Sequence, residues 1–384
     1  MERFGAAVVG GGAVGTAVAW QLAEAGVPDV VLLERNPRLG EEQSGRSSGV
    51  VHAGIYYAKG SLKARLCVEA NARLPELCRA HGVPFERTGK LVVAPSRGDL
   101  PALEAVRERA AANGVPGLEM LGREGVHALE PSLSVEAALL VPTTGIVDPA
   151  ALVAALARLA EARGASVLTG FEVAAIAPRG DGFELTGTRG GRVESFEAGL
   201  VVNAAGLRCD VVGKMIDASL EAEVVPLRGE YYRLSRARRP GLRLSGRNVY
   251  PVPEPLDLGR ETMSIVGAHL TPTFALAADG SAVVGDVFTV GPEFRVAPGR
   301  DDYESDRFPV ERFVERVGRY LPSLEAADLS VDYAGIMVHL AGAADWVVRR
   351  DARRPSAVQL LGIDSPGLTC CVEIAREVRR LVAP

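Results

Sequence analysis

The amino-acid sequence predicts a mixed α/β fold in which a parallel βαβ unit is joined to a domain of antiparallel strands. The first 34 residues run from an apolar stretch through a glycine-rich turn and an alanine-rich stretch to a second apolar stretch. Residues 199–206 repeat the pattern of a buried strand that ends in a glycine. From about residue 222 the pattern changes to short alternating runs, typical of an antiparallel sheet, at 223–226, 230–234, 248–251, 264–269 and 281–285.

The glycine turn follows a predicted strand at residues 4–9 and opens a predicted helix at residues 16–25. Gly10 permits the turn, Gly12 lets a pyrophosphate approach the main chain, and Gly15 lets the helix pack closely on the strand. The start of the helix would direct its unpaired N–H groups at the phosphates. The pattern favours a dinucleotide site over a purely structural turn.

A carboxylate follows the glycine turn at the distance that such a site requires. Glu34 ends a second predicted strand, residues 30–34, and is placed to accept hydrogen bonds from ribose hydroxyls. The next segment, residues 41–57, is rich in small and hydroxylic residues and predicts an extended run beside a bound cofactor. A surface loop is the alternative, which the apolar residues 50–51 and 55–57 disfavour.

The remaining elements follow from capping residues and from hydrophobic periodicity. Ser61 caps a predicted helix that ends at about residue 81, and Asp148 caps another at residues 150–163. Further helices are predicted at 99–113, at 309–321 and after residue 369. Further strands are predicted near 85 and at 91–94, 166–168, 172–176, 182–188 and 357–361, with 172–176 and 182–188 forming a hairpin.

The composition is that of a globular protein, since 47% of the 384 residues are hydrophobic and 24% are charged. A formal net charge of -5 excludes the electrostatic footprint of a nucleic-acid-binding protein. No apolar run reaches the length of a membrane-spanning helix, and the first strand begins too early for a signal peptide, so we expect a cytoplasmic protein. Five cysteines without a CxxC spacing predict neither disulfides nor a metal site.

Five segments spread over nearly the whole chain carry a family resemblance: Ser48-Gly-Val-Val-His-Ala-Gly-Ile-Tyr-Tyr57, Gly60-Ser-Leu-Lys-Ala-Arg-Leu-Cys-Val-Glu69, Thr88-Gly-Lys-Leu-Val-Val-Ala94, Arg228-Gly-Glu-Tyr-Tyr232 and Gly362-Ile-Asp-Ser-Pro-Gly-Leu-Thr369. With them, the chain resembles FAD-dependent oxidoreductases of the D-amino-acid-oxidase superfamily, and most of all the L-2-hydroxyglutarate dehydrogenase/oxidase family.

The resemblance implies a FAD-binding Rossmann-like domain of the glutathione-reductase type with an antiparallel-sheet substrate domain. Residues 1–84, 145–221 and 335–384 would form the discontinuous FAD-binding domain. Residues 85–144 and 222–334 would form the substrate domain. This division is an expectation about how the chain is shared between cofactor and substrate.

The cofactor that the resemblance implies is FAD, bound covalently or non-covalently. The C-terminal helix would point its first N–H groups at the flavin edge where negative charge develops on reduction. The expected cofactor contacts are Gly10, Gly12, Ala13, Val14, Gly15, Glu34, Arg35, Ser44, Arg46, Ser47, Ser48, Val173, Ala205, Gly206, Gly335, Gly362, Ile363, Pro366, Gly367, Leu368 and Thr369.

The chemistry that the resemblance implies is oxidation of an alcohol carbon beside a carboxylate, with hydride passing to flavin N5. The hydroxyl proton needs a base near neutrality, which is usually a histidine. We predict His269, at the end of the 264–269 strand, as the base or as the main hydrogen-bond partner that orients the substrate, and His52 as a second catalytic residue. In some relatives a histidine in a setting like that of His52 carries the flavin covalently. The expected substrate contacts are Tyr57, Lys63, Arg65, Arg228, Tyr250 and His339.

One position departs from the pattern of related flavoenzymes. They commonly have Gly-Ile/Val-Arg in the segment at 333–340, where the arginine grips a substrate carboxylate, but this chain has Met337. A thioether cannot form a bidentate clamp, so either another cation among the expected contacts replaces it or the substrate differs from L-2-hydroxyglutarate.

Several alternatives stay open at this point. The chain could be an amine or amino-acid oxidase of the sarcosine or glycine oxidase type, or a flavin-binding protein without turnover. Oxygen or a quinone could accept the electrons, and peripheral contact with the inner face of a membrane is compatible with the sequence.

Overall fold

The N-terminal βαβ unit forms as the glycine pattern predicts. In the computed structural model, which describes residues 2–382, β1 (Arg3–Val9) leads through the glycine turn into α1 (Ala13–Glu24) and β2 (Val30–Glu34). The two strands pair in parallel, and every residue of β2 is buried. Strands buried on both faces read as continuous apolar runs, which is why these two were recognisable in the sequence.

The first sheet has eight strands and is built around β1. It comprises β9 (Ser166–Thr169), β10 (Phe171–Arg179), β11 (Gly182–Arg189), β12 (Arg192–Asn203), β20 (Val347–Arg350) and β21 (Ala357–Leu361) in addition to β1 and β2. The order is β10-β11-β12-β1-β2-β9, with β21 pairing with β12 and β20. β12 is antiparallel to β11 in its first half and parallel to β1 and β21 near its end. The predicted hairpin is confirmed, and the strand predicted at 199–206 is the last part of β12, which ends at Asn203.

Helices cover the first sheet on its apolar faces. They are α1, α5 (Pro149–Glu161), α6 (Cys209–Ile216) and α8 (Gly367–Val382), with α1 between α5 and α8. α2 (Leu62–Ala80) packs on α8. Both predicted caps are confirmed, because the Ser61 hydroxyl accepts from Ala64 N at 3.1 Å and the Asp148 carboxylate accepts from Ala151 N at 2.9 Å. Each such cap contributes about 1 kcal/mol to its helix.

The second sheet also has eight strands, and all but one of its neighbouring pairs are antiparallel. Its members are β5 (Lys90–Ala94), β6 (Glu119–Gly122), β7 (Ala137–Val141), β13 (Val224–Ser235), β14 (Asn248–Pro251), β17 (His269–Leu276), β18 (Ala282–Val296) and β19 (Leu329–Leu340). The order is β19-β13-β18-β17-β14-β5-β7-β6. Helices α3 (Leu100–Ala112), α4 (Arg123–Leu129) and α7 (Val310–Gly318) accompany it.

Two small sheets complete the fold. β15 (Glu254–Asp257) and β16 (Thr262–Ile265) form a hairpin that joins neither large sheet. β3 (Val50–Val51), β4 (Phe85–Glu86) and β8 (Gly145–Val147) form a three-stranded sheet in the order β3-β8-β4. Between residues 2 and 382, no helix is both long enough and apolar enough to cross a membrane. The five cysteines are buried as free thiols.

Three expectations about the strands and the loop at 41–57 are wrong. The strands predicted at 223–226 and 230–234 are one strand, β13, which bends through an irregularity instead of ending. β16 stops at Ile265, so His269 begins a strand and does not end one. Residues 40–46 fold into hydrogen-bonded turns, in which Gly45 N donates to Gly40 O at 2.8 Å. The elements that were not predicted are β3, β6, α4, β7, β8, α6, β15, β17, β19 and β20.

Candidate functional site

Two neighbouring cavities extend from the glycine turn to the space between the two large sheets. The smaller has a volume of about 220 Å³ and surrounds the glycine turn. The larger has a volume of about 330 Å³ and reaches the second sheet. Val14, Gln43, Ser44 and Ile363 line both, so the cavities adjoin each other. A long, two-part cleft of this kind suits an extended ligand with different chemical groups at its two ends.

The glycine turn has no room for side chains. Gly10 has a φ of +115°, and a Cβ added there would lie 2.3 Å from the carbonyl oxygen of Ala204. At Gly15 an added Cβ would lie 1.8 Å from the carbonyl oxygen of Gly10. Both distances are far below van der Waals contact, so only glycine lets strand and helix approach this closely. The backbone left bare by the turn lines the smaller cavity.

The carboxylate of Glu34 is held beside the turn by two backbone groups. It accepts from Gly11 N and from Asn36 N, each at 2.7 Å. Its side chain is buried, and burial raises the pKa of the carboxyl against the opposing effect of these two N–H donors. Glu34 lines the smaller cavity, as a residue that meets a ribose must.

The cavities contain all but one of the expected cofactor residues. The smaller is lined by Gly10, Gly12, Gly15, Glu34, Arg35, Val173, Ala205 and Gly206, together with the shared Val14, Ser44 and Ile363. The larger is lined by Ala13, Arg46, Ser47, Ser48, Gly335, Pro366, Gly367, Leu368 and Thr369. Gly362 lies next to this lining but not in it, and its positive φ of +68° turns the chain toward α8.

The first residues of α8 face the larger cavity. The first N–H groups of a helix have no intrahelical acceptor, so those of Leu368 and Thr369 are placed to meet a ligand. The N–H of Gly367 is already used, because it donates to Asp364 O at 2.6 Å. The positive end of the helix dipole therefore points at the part of the cleft between the sheets.

His269 lines the larger cavity with one ring nitrogen bound and the other without a partner. Its Nδ1 lies 2.9 Å from the carbonyl oxygen of Gly267, and because a carbonyl only accepts, Nδ1 carries the proton. Nε2 is buried and forms no hydrogen bond with any residue of the described chain. Burial lowers the pKa of His269 to about 3, so the ring is neutral. Its ring stacks on Tyr250, with 3.6 Å between the centroids.

His52 lines the same cavity, next to the start of α8. Its backbone N donates to Thr369 Oγ1 at 3.1 Å, and its Nε2 lies 3.3 Å from Ser365 Oγ. Burial, and then the nearby charge of Lys90, lower the pKa of His52 well below its ordinary value. The structure therefore brings both predicted histidines together as neutral groups at one cavity.

Three of the expected substrate contacts also lie in the larger cavity: Tyr57, Lys63 and Tyr250. The ammonium of Lys63 is paired with Asp364 at 2.8 Å, so part of its charge is already balanced. Met337 lines the same cavity, which places the thioether where related flavoenzymes have an arginine.

The other three expected substrate contacts lie outside both cavities and bind other residues of the chain. Arg65 is half-exposed and pairs with a carboxylate of α8 at 2.8 Å. Arg228 is fully buried in an ion pair with Glu230 at 3.0 Å. His339 is bound through Nε2 to Glu261 at 2.9 Å. Glu261 directly precedes β16, so this bond links β16 to β19. None of the three lines either cavity.

The sequence did not single out several residues that belong to the site. Tyr56, Arg109 and Tyr231 line the larger cavity, and Arg109 donates to Tyr56 O at 3.3 Å. Lys90 lies behind the lining, with its ammonium 3.6 Å from the ring centroid of Tyr250. The only signal for Lys90 was its place in the Thr88–Ala94 segment that carries the family resemblance.

Comparisons with known proteins agree with this geometry. The sequence profile of the family described as FAD dependent oxidoreductase matches residues 6–381. The mitochondrial L-2-hydroxyglutarate dehydrogenase of Caenorhabditis elegans is 35% identical over 305 residues, which are 79% of this chain and 66% of that protein. The L-2-hydroxyglutarate dehydrogenase of Indibacter alkaliphilus is 29% identical over 400 residues, covering 98% of each chain.

The fold is also similar to that of solved structures. The dithionite-reduced L-alpha-glycerophosphate oxidase from Mycoplasma pneumoniae, with FAD bound, superimposes with a TM-score of 0.84 at 24% identity, covering 100% of this chain and 95% of the other. The bare glycine turn, the fixed Glu34 carboxylate and the helix end at Gly367 fit the phosphates, ribose and flavin of FAD. The chain therefore belongs to the family of FAD dependent oxidoreductases, and FAD is its cofactor.

Proposed function

We propose that this chain oxidises L-2-hydroxyglutarate, or a 2-hydroxy acid much like it, to the corresponding 2-oxo acid. The substrate class rests on relatives that carry the name L-2-hydroxyglutarate dehydrogenase and are 35% and 29% identical to this chain. The observation that carries the chemistry is the buried, unpartnered Nε2 of His269 in a cavity that adjoins the glycine turn. When bound, FAD supplies the acceptor for the hydride that leaves the substrate carbon.

His269 is proposed to take the hydroxyl proton at Nε2. Its Nδ1–H is committed to Gly267 O, which holds the tautomer whose free lone pair is on Nε2. The stack on Tyr250 fixes the plane of the ring. A base that is positioned in this way and kept neutral by burial needs no proton to be removed before it acts.

One carboxylate of the substrate is proposed to lie toward the cationic part of the larger cavity. Arg46, Lys63 and Arg109 line it, so an anion gains favourable electrostatics even though Met337 offers no charge. His52, neutral and beside α8, is proposed to orient the substrate or the flavin through Nε2.

The proposed division of the chain into a FAD-binding domain and a substrate domain follows the two large sheets. Residues 1–84, 145–221 and 335–384 are proposed to hold FAD, and residues 85–144 and 222–334 to cover the substrate. Support comes from sheet membership, since β1, β2, β9–β12, β20 and β21 form one sheet and β5–β7 join the antiparallel one. β19 crosses the proposed boundary at residue 335.

Anaerobic bleaching of the holoenzyme tests the proposal. L-2-hydroxyglutarate should reduce the bound flavin within the enzyme's turnover time, while its D enantiomer, glycine, sarcosine and L-alpha-glycerophosphate should not. Bleaching by glycine or sarcosine instead would favour an amine oxidase. Absence of bleaching by every compound would contradict the proposed oxidation.

The electron acceptor is proposed to be oxygen or a quinone, and the site of action the cytoplasm. The five free, buried cysteines support a reducing compartment. Mixing the reduced enzyme with air-saturated buffer and, separately, with a soluble quinone distinguishes the acceptors by the rate at which the flavin is reoxidised.

A further inference from the structure

Lys90 is a buried cation at the back of the larger cavity. It is the first residue of β5, where it pairs with Asn248 of β14 on one side and Val141 of β7 on the other. Only 1% of its surface is exposed. Its ammonium lies 3.6 Å from the ring centroid of Tyr250 and 5.5 Å from that of Tyr56.

The charge of Lys90 is not balanced by the protein. Among residues 2–382, no carboxylate lies within ion-pair distance of its ammonium. The electron-rich faces of Tyr56 and Tyr250 attract a cation, but they carry no net charge. Burying an ammonium without a counter-ion is expensive, so a site that keeps one is typically completed by an anion from outside the chain.

The other cations around the cavity are already engaged by the chain. Lys63 is paired with Asp364, and Arg109 donates to the carbonyl of Tyr56. Arg46 donates to a backbone carbonyl at 3.1 Å. Met337 is neutral at the position where related flavoenzymes place a guanidinium. Among the described residues, Arg46 and Arg109 have no carboxylate partner either, but neither is buried, so water can solvate their charges. Lys90 therefore stands out as the buried positive charge without a carboxylate partner next to the proposed substrate space.

We propose that Lys90 is the specificity-determining charge of the site: its ammonium attracts the second carboxylate of the substrate through the wall formed by Tyr56 and Tyr250. The inference rests on the proposed function, because it assumes an anionic substrate in the larger cavity. Lys90 lies behind the lining and so acts as a positioning residue, not as a catalytic one. In an interior of low dielectric constant, a charge acts strongly across the width of one ring.

The proposal has a pH signature. Burial lowers the pKa of Lys90 to about 7, so its charge is present below pH 7 and is lost above it. The pKa values of His52 and His269 are lowered by burial, and those of Tyr56 and Tyr250 are raised by it, so these four neighbours stay neutral from pH 6 to 9.

Cys67 of α2 also faces Lys90, and Lys63, Arg109 and Asp364 are the charged groups of the same cavity. An anion held mainly by Lys90 should bind more weakly as the pH rises through 7.

Binding of glutarate to the oxidised holoenzyme tests this without turnover, because glutarate has two carboxylates and no hydroxyl to oxidise. The perturbation of the flavin spectrum gives its dissociation constant at pH 6 and pH 9. In the wild type this constant should rise by about tenfold or more between the two, the size expected for one partly shielded charge. Lys90→Met should bind glutarate at pH 6 as weakly as the wild type does at pH 9.

Lys90→Arg keeps the charge at both pH values, so its glutarate binding should not weaken between pH 6 and 9. Lys59→Met removes an exposed lysine and should behave as the wild type does. The proposal is overturned if Lys90→Met binds glutarate at pH 6 as the wild type does, or if the wild type binds none. Should Lys90→Met lose its flavin, Lys90→Arg decides alone: a wild-type pH dependence in that variant overturns the proposal.

The two proposals fail in different ways. If the wild type is not bleached by L-2-hydroxyglutarate but its glutarate affinity depends on residue 90, only the proposed substrate is wrong. If bleaching occurs and Lys90→Met retains wild-type glutarate affinity, only the role of Lys90 is wrong.

Discussion

Replacing His269 by glutamine removes the proposed base and keeps a side chain of similar length. A positioned base is worth about 10² to 10⁴ in rate. The structure favours the lower end, because a histidine whose pKa is lowered to about 3 is a weaker proton acceptor than an ordinary one. We therefore expect flavin reduction to slow by about 10², which corresponds to about 2.7 kcal/mol in the activation barrier.

The rate constant is measured by anaerobic stopped-flow at saturating L-2-hydroxyglutarate, from the loss of flavin absorbance near ~450 nm, a band that belongs to the cofactor itself. Because the pKa of His269 is lowered, its base form is present at every pH above about 3. Protonation of His269 should therefore not lower the wild-type rate constant at saturation between pH 8 and pH 5. A solvent-exposed histidine would lose its base form across that range.

His127→Gln is the matched control, because His127 is exposed on α4, away from both cavities. It should reduce its flavin at the wild-type rate. If His269→Gln also does so with an unchanged flavin spectrum, His269 is not the base, and the same experiment on His52 follows.

Two further predictions concern the cofactor and the stability of the second sheet. Glu34→Gln replaces one acceptor oxygen by an NH₂ group, which would face the N–H of Gly11 or of Asn36. FAD should therefore bind about tenfold more weakly to the apoprotein. Wild-type affinity in a titration would contradict the role of Glu34. Arg228→Met leaves Glu230 buried without its main partner and should lower the free energy of unfolding by about 3 to 5 kcal/mol. Urea unfolding measures this, with the exposed Arg233→Met as a control that should change little.

The parts of the fold that follow local rules were predictable from the sequence. The glycine turn, the strand that ends at Glu34 and the cap at Ser61 depend on residues within a few positions of one another, or on one continuous apolar run. The same locality explains why nearly all expected cofactor residues line the two cavities.

The parts that depend on distant partners were not predictable. In the sequence alone, Arg228 resembles a substrate-binding cation. Its contact with Asp302, 74 positions later, exists only in the folded chain. Lys90 likewise resembles an ordinary first residue of a strand. Tyr250 reaches its ammonium only because β14, which begins at residue 248, pairs with β5. The length of β13 is likewise set by pairing with β18 and β19, which lie far along the chain.

The two walls of the cofactor cleft come from distant parts of the chain, and this affects the order in which the cleft forms during synthesis. The wall at Ala13 and Val14 is synthesised about 350 residues before the opposite wall at residues 363–369. β1 lacks its neighbour β12 until Asn203 has been added to the chain. A chain cut short before residue 360 would therefore have a glycine turn without the flavin-facing helix opposite it.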